Sequence, residues 1–179
     1  MTEQKTALVT GASRGIGAAI ATQLAVDGYF VVGTATSVAG AQTIANRLGD
    51  QGTGMALDVS DSDSVSSLMT RVAEISNSPL VVVNNAGITK DTLLMRMSEA
   101  EWSEVLDTNL SGAFRVTKPA LRAMLKARWG RIVNVGSVVA RLGNPGQGNY
   151  VASKAGLEGF TRSLACLLYT SPSPRDVEE

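Results

Sequence analysis

Tyr150-Val151-Ala152-Ser153-Lys154 sets a phenol and an ammonium four residues apart, one helical turn from each other on a single face. The sequence holds no histidine and one cysteine, Cys166, which excludes Ser-His-Asp and Cys-His triads, HExxH zinc sites and an intrachain disulfide. Acid–base chemistry in this chain therefore falls to Tyr, Lys, Asp or Glu. A Tyr-x-x-x-Lys pair by itself is usually only a surface and a core residue sharing a helix. Its setting adds weight. Ser137 lies thirteen residues before Tyr150, just past the end of the fifth strand read below, where open α/β sheets bind ligands.

Short β-branched runs alternate with stretches of helical period along the chain, the pattern of repeated βαβ units and a parallel sheet. Five strands are predicted, at Thr6–Thr10, Phe30–Thr34, Gly54–Asp58, Leu80–Val83 and Arg131–Val135, each largely apolar because a parallel strand is covered on both faces. Helices are predicted over Ile16–Asp27, Ala39–Leu48, Ser62–Ile75, a long region from about Glu99 to Lys126, and Tyr150 to about Ala165. Asp61 and Ser98 are suited to cap two of them. Pro119 lies inside the long region, where the missing N–H should kink or divide the helix. With 179 residues, 44% of them apolar, the first expectation is one domain with a real core.

Between the first strand and the first helix runs Thr10-Gly11-Ala12-Ser13-Arg14-Gly15-Ile16-Gly17, placed where a dinucleotide pyrophosphate binds. Glycines there allow a tight turn and close approach to phosphate oxygens, and the helix offers free N–H groups and the positive end of its dipole. The second strand ends at Gly33-Thr34-Ala35-Thr36-Ser37, without the acidic residue that would meet the ribose hydroxyls of NAD. Thr36, Ser37 and Arg14 instead suit a 2′-phosphate, so NADP is the expected cofactor.

Taken together, Thr10-Gly11-x-x-x-Gly15-x-Gly17, Asp58-Val59, Asn84-Asn85-Ala86-Gly87, Asn109, Ser137 and Tyr150-x-x-x-Lys154 resemble the short-chain dehydrogenase/reductase family in order and spacing. The run from Asn84 to Met97 and Gly136-Ser137-Val138-Val139 are most similar to its branch of bacterial 3-oxoacyl-acyl-carrier-protein reductases. The resemblance implies a Rossmann-type doubly wound parallel sheet and reduction, with NADPH, of a 3-oxoacyl group on acyl-carrier protein to the (3R)-3-hydroxyacyl thioester in fatty-acid biosynthesis. It implies that Tyr150 protonates the carbonyl oxygen as general acid, that Lys154 favours the phenolate and bonds the nicotinamide ribose, and that Ser137 orients the substrate carbonyl. Asn109 would support Lys154 through a water. Gly11, Ala12, Ser13, Arg14, Gly15, Ile16, Gly17, Thr36, Asp58, Val59, Asn85, Ala86 and Gly87 would hold the cofactor, with Asp58 and Val59 at the adenine and Asn85 and Gly87 near the ribose. Reduction of acetoacetyl-CoA or another ketone is an alternative within the same chemistry; a nucleotide-binding fragment without catalysis is one of another class.

The resemblance also implies a sixth strand, a Pro-Gly turn over the nicotinamide, a lid and a seventh strand beyond the Tyr/Lys helix. Residues 166–179 do not read that way, and Cys166 to Asp176 resemble one translated frame of a transposase-type sequencing adapter. The expectation is an incomplete NADP-binding unit over residues 1–165, carrying strands one to five, followed by a non-native tail over 166–179 from a fragment of a longer chain. An apolar edge beside strand five and reduced activity would follow. The complete protein would be a homotetramer.

Lysine plus arginine equals aspartate plus glutamate, 16 of each, so there is no basic excess for a nucleic-acid backbone or an anionic membrane. Neither a secretory leader nor an apolar run near the roughly 20 residues of a membrane span is visible, and a cytoplasmic location is expected. The basic residues Lys126, Arg128 and Arg131 read as a solvated face or as a contact for an acidic carrier protein.

Overall fold

A computed structural model describes residues 4–169. Its sheet is made of β1 (Thr6–Val9), β2 (Phe30–Ala35), β3 (Gly52–Ala56), β4 (Val81–Asn84) and β5 (Arg131–Asn134), all parallel, in the order β3-β2-β1-β4-β5. Each strand lies within about two residues of its expected place; β1, β2 and β4 are buried along almost their whole length, which leaves such a run little freedom to shift. Side chains alternate between two cores. Leu8, Val32 and Val82 face one core with Leu68, Val72, Val116 and Met124, while Ala7, Val9, Val31 and Val83 face the other with Ala21 and Ile44. Helices α1 (Gly15–Val26) and α2 (Val38–Leu48) cover the second face, and α3 (Ser62–Ile75) and α5 (Gly112–Ala127) the first.

The chain turns one way from β1 to β2 and β3, then crosses back to lay β4 on the other side of β1. This switch point, beyond the carboxyl ends of β1 and β4, is where an open α/β sheet has its ligand-binding crevice. On the far side β5 forms the sheet's edge among the described residues, and Val133 is 48% exposed there.

The region expected as one long helix is three pieces: α4 (Glu99–Leu106), a π turn (Asp107–Ser111) and α5. The break therefore falls at the π turn and not at Pro119, which α5 carries in its interior. Pro119 sits on the exposed face of α5, where water can serve the carbonyl that loses its partner. A short helix, α6 (Val139–Leu142), follows β5 and was not expected.

Helix α7 (Gly148–Tyr169) packs on α4, α6 and the π turn and runs beyond the expected end near Ala165. Cys166-Leu167-Leu168-Tyr169 has neither Gly nor Pro, so a helix already formed propagates through it, and the first proline is Pro172. The rest of the expected tail lies outside the described residues. No helix among the described residues is long and apolar enough to cross a membrane.

Asp61 and Ser98 cap α3 and α4 as expected, Ser98 through a full capping box with Glu101. The Ser98→Ala variant should lose about 1 kcal/mol of unfolding free energy in urea titration; an unchanged midpoint would show that the box contributes nothing to stability.

Candidate active site

The turn after β1 needs its glycines. Gly11 and Gly15 have φ of +65° and +58°, a region that favours residues without a Cβ. A Cβ on Gly11 would stand 3.0 Å from Ala86 Cα, and one on Gly17 would collide with the Gly11 carbonyl and Asn85 Nδ2. These contacts show how closely the β1 turn and the loop after β4 approach. Thr10 Oγ1 accepts from the N–H groups of Asn85 and Ala86, both at 3.0 Å, and Asn85 Nδ2 donates to the carbonyls of Thr10 at 2.9 Å and Gly11 at 3.0 Å. Asn85 is thus a clamp on the turn.

No side-chain bond caps α1, whose N-cap is the exposed Arg14, so no side-chain acceptor takes its first-turn N–H groups. Ala12 is buried, Ser13 half-buried, and Gly15 and Ile16 are exposed at the helix start. At the end of β2, Thr36 is exposed, and Ser37 Oγ accepts from Gly40 N as the α2 cap. Asp58 is exposed past β3, and its bonds from the Ser60 hydroxyl and N–H hold its carboxyl below the usual aspartate range. The side chain of Val59, expected to pack on adenine, lies in the core and against Gly112.

On the other side of the crevice the π turn brings Asn109 inward, 2% exposed. Its Oδ1 accepts from Ile88 N at 2.8 Å, and its Nδ2 donates to Ile88 O at 3.0 Å and Ser153 Oγ at 3.1 Å. Ser153 Oγ in turn donates to the Tyr150 carbonyl at 2.8 Å, linking the π turn to the first turn of α7. Gly87 lies where Asn109 and Lys154 converge: a Cβ on it would be 3.2 Å from Asn109 Oδ1 and 3.8 Å from Lys154 Nζ.

Lys154 is 4% exposed, and its Nζ donates to the Val135 carbonyl at 2.7 Å and lies 5.7 Å from the centre of the Tyr150 ring. No ion pair found among the described residues includes it. Burial pushes its ammonium below the ordinary lysine value of 10.5. Tyr150 and Ser137 are half-buried, Ser137 following β5 as expected.

Asn149 escaped the sequence reading. Fully buried, it donates through Nδ2 to the carbonyls of Lys90 at 3.1 Å and Glu101 at 3.3 Å, while its Oδ1 accepts from Tyr150 N at 2.8 Å. It fixes the start of α7, and with it Tyr150, to α4 and the loop after β4. Its only sequence signal is an amide directly before the Tyr/Lys pair.

A doubly wound sheet, a glycine turn at its switch point and a Tyr/Lys pair across the crevice define a Rossmann-type oxidoreductase fold. The chain belongs to the short chain dehydrogenase family, whose model matches residues 5–171. It is 57% identical to the 3-oxoacyl-acyl-carrier-protein reductase of Pseudomonas aeruginosa over 164 residues, which cover 90% of this chain and 66% of the relative. The reductases of the same name from Vibrio cholerae and Escherichia coli K12 are 56% and 54% identical over 163 residues, covering 91% of this chain and 67% of each relative. The chain thus spans about two thirds of the length of these relatives.

Lys154 gives the site a pH signature. Between its lowered pKa and 10.5 the unfolded chain binds more protons than the folded one, so folding gains stability as pH rises through that window. Urea midpoints across that range should rise more steeply in the parent than in Lys154→Met; parallel pH slopes would show that burial does not shift this group.

Proposed function

We propose that this chain carries the cofactor site and catalytic centre of an NADPH-dependent reductase of 3-oxoacyl-acyl-carrier-protein thioesters, a reaction of fatty-acid biosynthesis. The observation that carries the reading is Lys154, a buried ammonium with a main-chain carbonyl as its protein partner, beside the Tyr150 ring. An unpaired buried charge is costly to keep, and groups of that kind concentrate at functional sites. The names and identities of the three relatives support the substrate class.

The crevice fits NADP. Among the described residues nothing lies within 4 Å of where a Cβ on Gly15 would stand, and the first turn of α1, which Gly15 opens, has no side-chain cap. Gly11 to Gly17 hold the pyrophosphate, Arg14 and Thr36 the 2′-phosphate, Asp58 and Val59 the adenine, and Asn85, Ala86 and Gly87 line the ribose side. When bound, the reduced cofactor supplies the hydride for the substrate carbonyl.

Tyr150 donates the proton to the carbonyl oxygen, and Ser137 donates a hydrogen bond to the same atom. Lys154 holds positive charge beside the phenol and donates toward the nicotinamide ribose. Asn109 anchors this group through Ile88 and Ser153. Residues 1–165 are the reductase unit, and 166–179 a non-native tail. The working enzyme is a cytoplasmic homotetramer, with Lys126, Arg128 and Arg131 as the face for an acidic carrier.

The test is NADPH absorbance with acetoacetyl-acyl-carrier protein and with acetoacetyl-CoA, for this chain and for a chimera extended by the C-terminal third of the Pseudomonas relative. The expected outcome is turnover by the chimera, faster on the carrier thioester, with Tyr150→Phe slower by about 10²–10⁴-fold. Preference for the CoA thioester would move the assignment to the free-thioester reductases, and a folded chimera that binds NADPH without oxidising it would leave a nucleotide-binding protein.

A further inference from the structure

Arg47, an exposed residue in the last turn of α2, reaches back to the glycine turn. Its Nη1 donates to the Ala12 carbonyl and its Nη2 to the Ser13 carbonyl, both at 2.9 Å. Asn85 already takes the carbonyls of Thr10 and Gly11. Four successive carbonyls, residues 10 to 13, are therefore held by two side chains that arrive from opposite sides of the turn.

The consequence follows from peptide geometry. In a trans peptide the C=O of one residue and the N–H of the next point in opposite directions. Fixing the Ala12 and Ser13 carbonyls on the guanidinium therefore turns the N–H groups of Ser13 and Arg14 away from it. Both neighbour the uncapped first turn of α1. A free turn could rotate either peptide and present a carbonyl oxygen to an anion, which repels it; the planar guanidinium fork prevents both rotations together.

We propose that Arg47 is a positioning residue for the phosphate-bearing adenosine half of the dinucleotide, acting through the peptide planes of Ala12-Ser13 and Ser13-Arg14. This rests on the reading that the crevice takes NADP. Lysine keeps the charge but cannot hold two carbonyls in one plane, so it replaces the function only in part.

The test is calorimetric binding of NADPH and of adenosine 2′,5′-bisphosphate to the full chain, comparing the parent with Arg47→Gln, Arg47→Lys and the distant exposed Arg71→Gln. Arg47→Gln should weaken both ligands about tenfold, the scale of losing one net charge-assisted hydrogen bond. Arg47→Lys should fall between it and the parent, Arg71→Gln should match the parent, and melting temperatures should change little because Arg47 is exposed. An Arg47→Lys chain that binds as tightly as the parent overturns the positioning role and leaves only a charge effect; an Arg47→Gln chain that does so overturns both. A folded parent that binds neither ligand overturns the cofactor reading itself, and the inference with it.

Discussion

Everything at the mouth of the sheet depends on the contact between Thr10 and Asn85. β1 and β4 pair within the sheet, but the chain leaving them enters separate loops, and nothing in the sheet's hydrogen bonding fixes how those loops meet. The Thr10 hydroxyl and the Asn85 amide supply the missing bonds, four of them across a sequence separation of more than seventy residues. Each bond satisfies a main-chain group that would otherwise need water, and together they remove the conformational freedom of two loops. The glycines go with this closeness: with the loops so near, the position of Gly17 has no space for a side chain, and that of Gly11 is tight and held at positive φ.

The same device recurs through the site. Asn84 donates to Thr117 at 2.9 Å and to Asn134 at 2.7 Å, and Asn134 donates to Thr161 at 2.8 Å, which joins α5, β4, β5 and α7 in one polar chain. Asn109 and Asn149 attach the π turn, α4 and the start of α7 to the loop after β4. Amides suit this role because each carries donors and an acceptor without charge; Asn84 uses only its donors here, its buried Oδ1 having no hydrogen-bond partner among the described residues. They leave Lys154 as the one buried cation among the described residues, held by a carbonyl and placed beside an aromatic ring.

How much of this was legible in the sequence follows from the range of the signal. Strands β1, β2 and β4 were readable because burial on both faces writes an apolar run, β3 and β5 from their place between helical stretches, and the caps Asp61 and Ser98 because a cap acts within three residues. The nearness of Lys154 to the Tyr150 ring and the place of Ser137 after β5 were readable from type and order. The break at Asp107–Ser111 was not, since the visible irregularity, Pro119, lies elsewhere and is tolerated on an exposed face. Arg47 and Asn149 were invisible for a different reason. Their partners are main-chain carbonyls distant in sequence, and a carbonyl has no residue identity to give it away.

The central claim is that the Thr10–Asn85 contact acts as a single unit that builds the nucleotide cradle. A double-mutant cycle on NADPH affinity measures it directly, with Thr10→Val, Asn85→Ala and the double variant. The account predicts that each single change weakens binding and that the double change is little worse than either, a coupling of about 0.5–3 kcal/mol. Losses that add to within about 0.5 kcal/mol would show two independent contacts and contradict it.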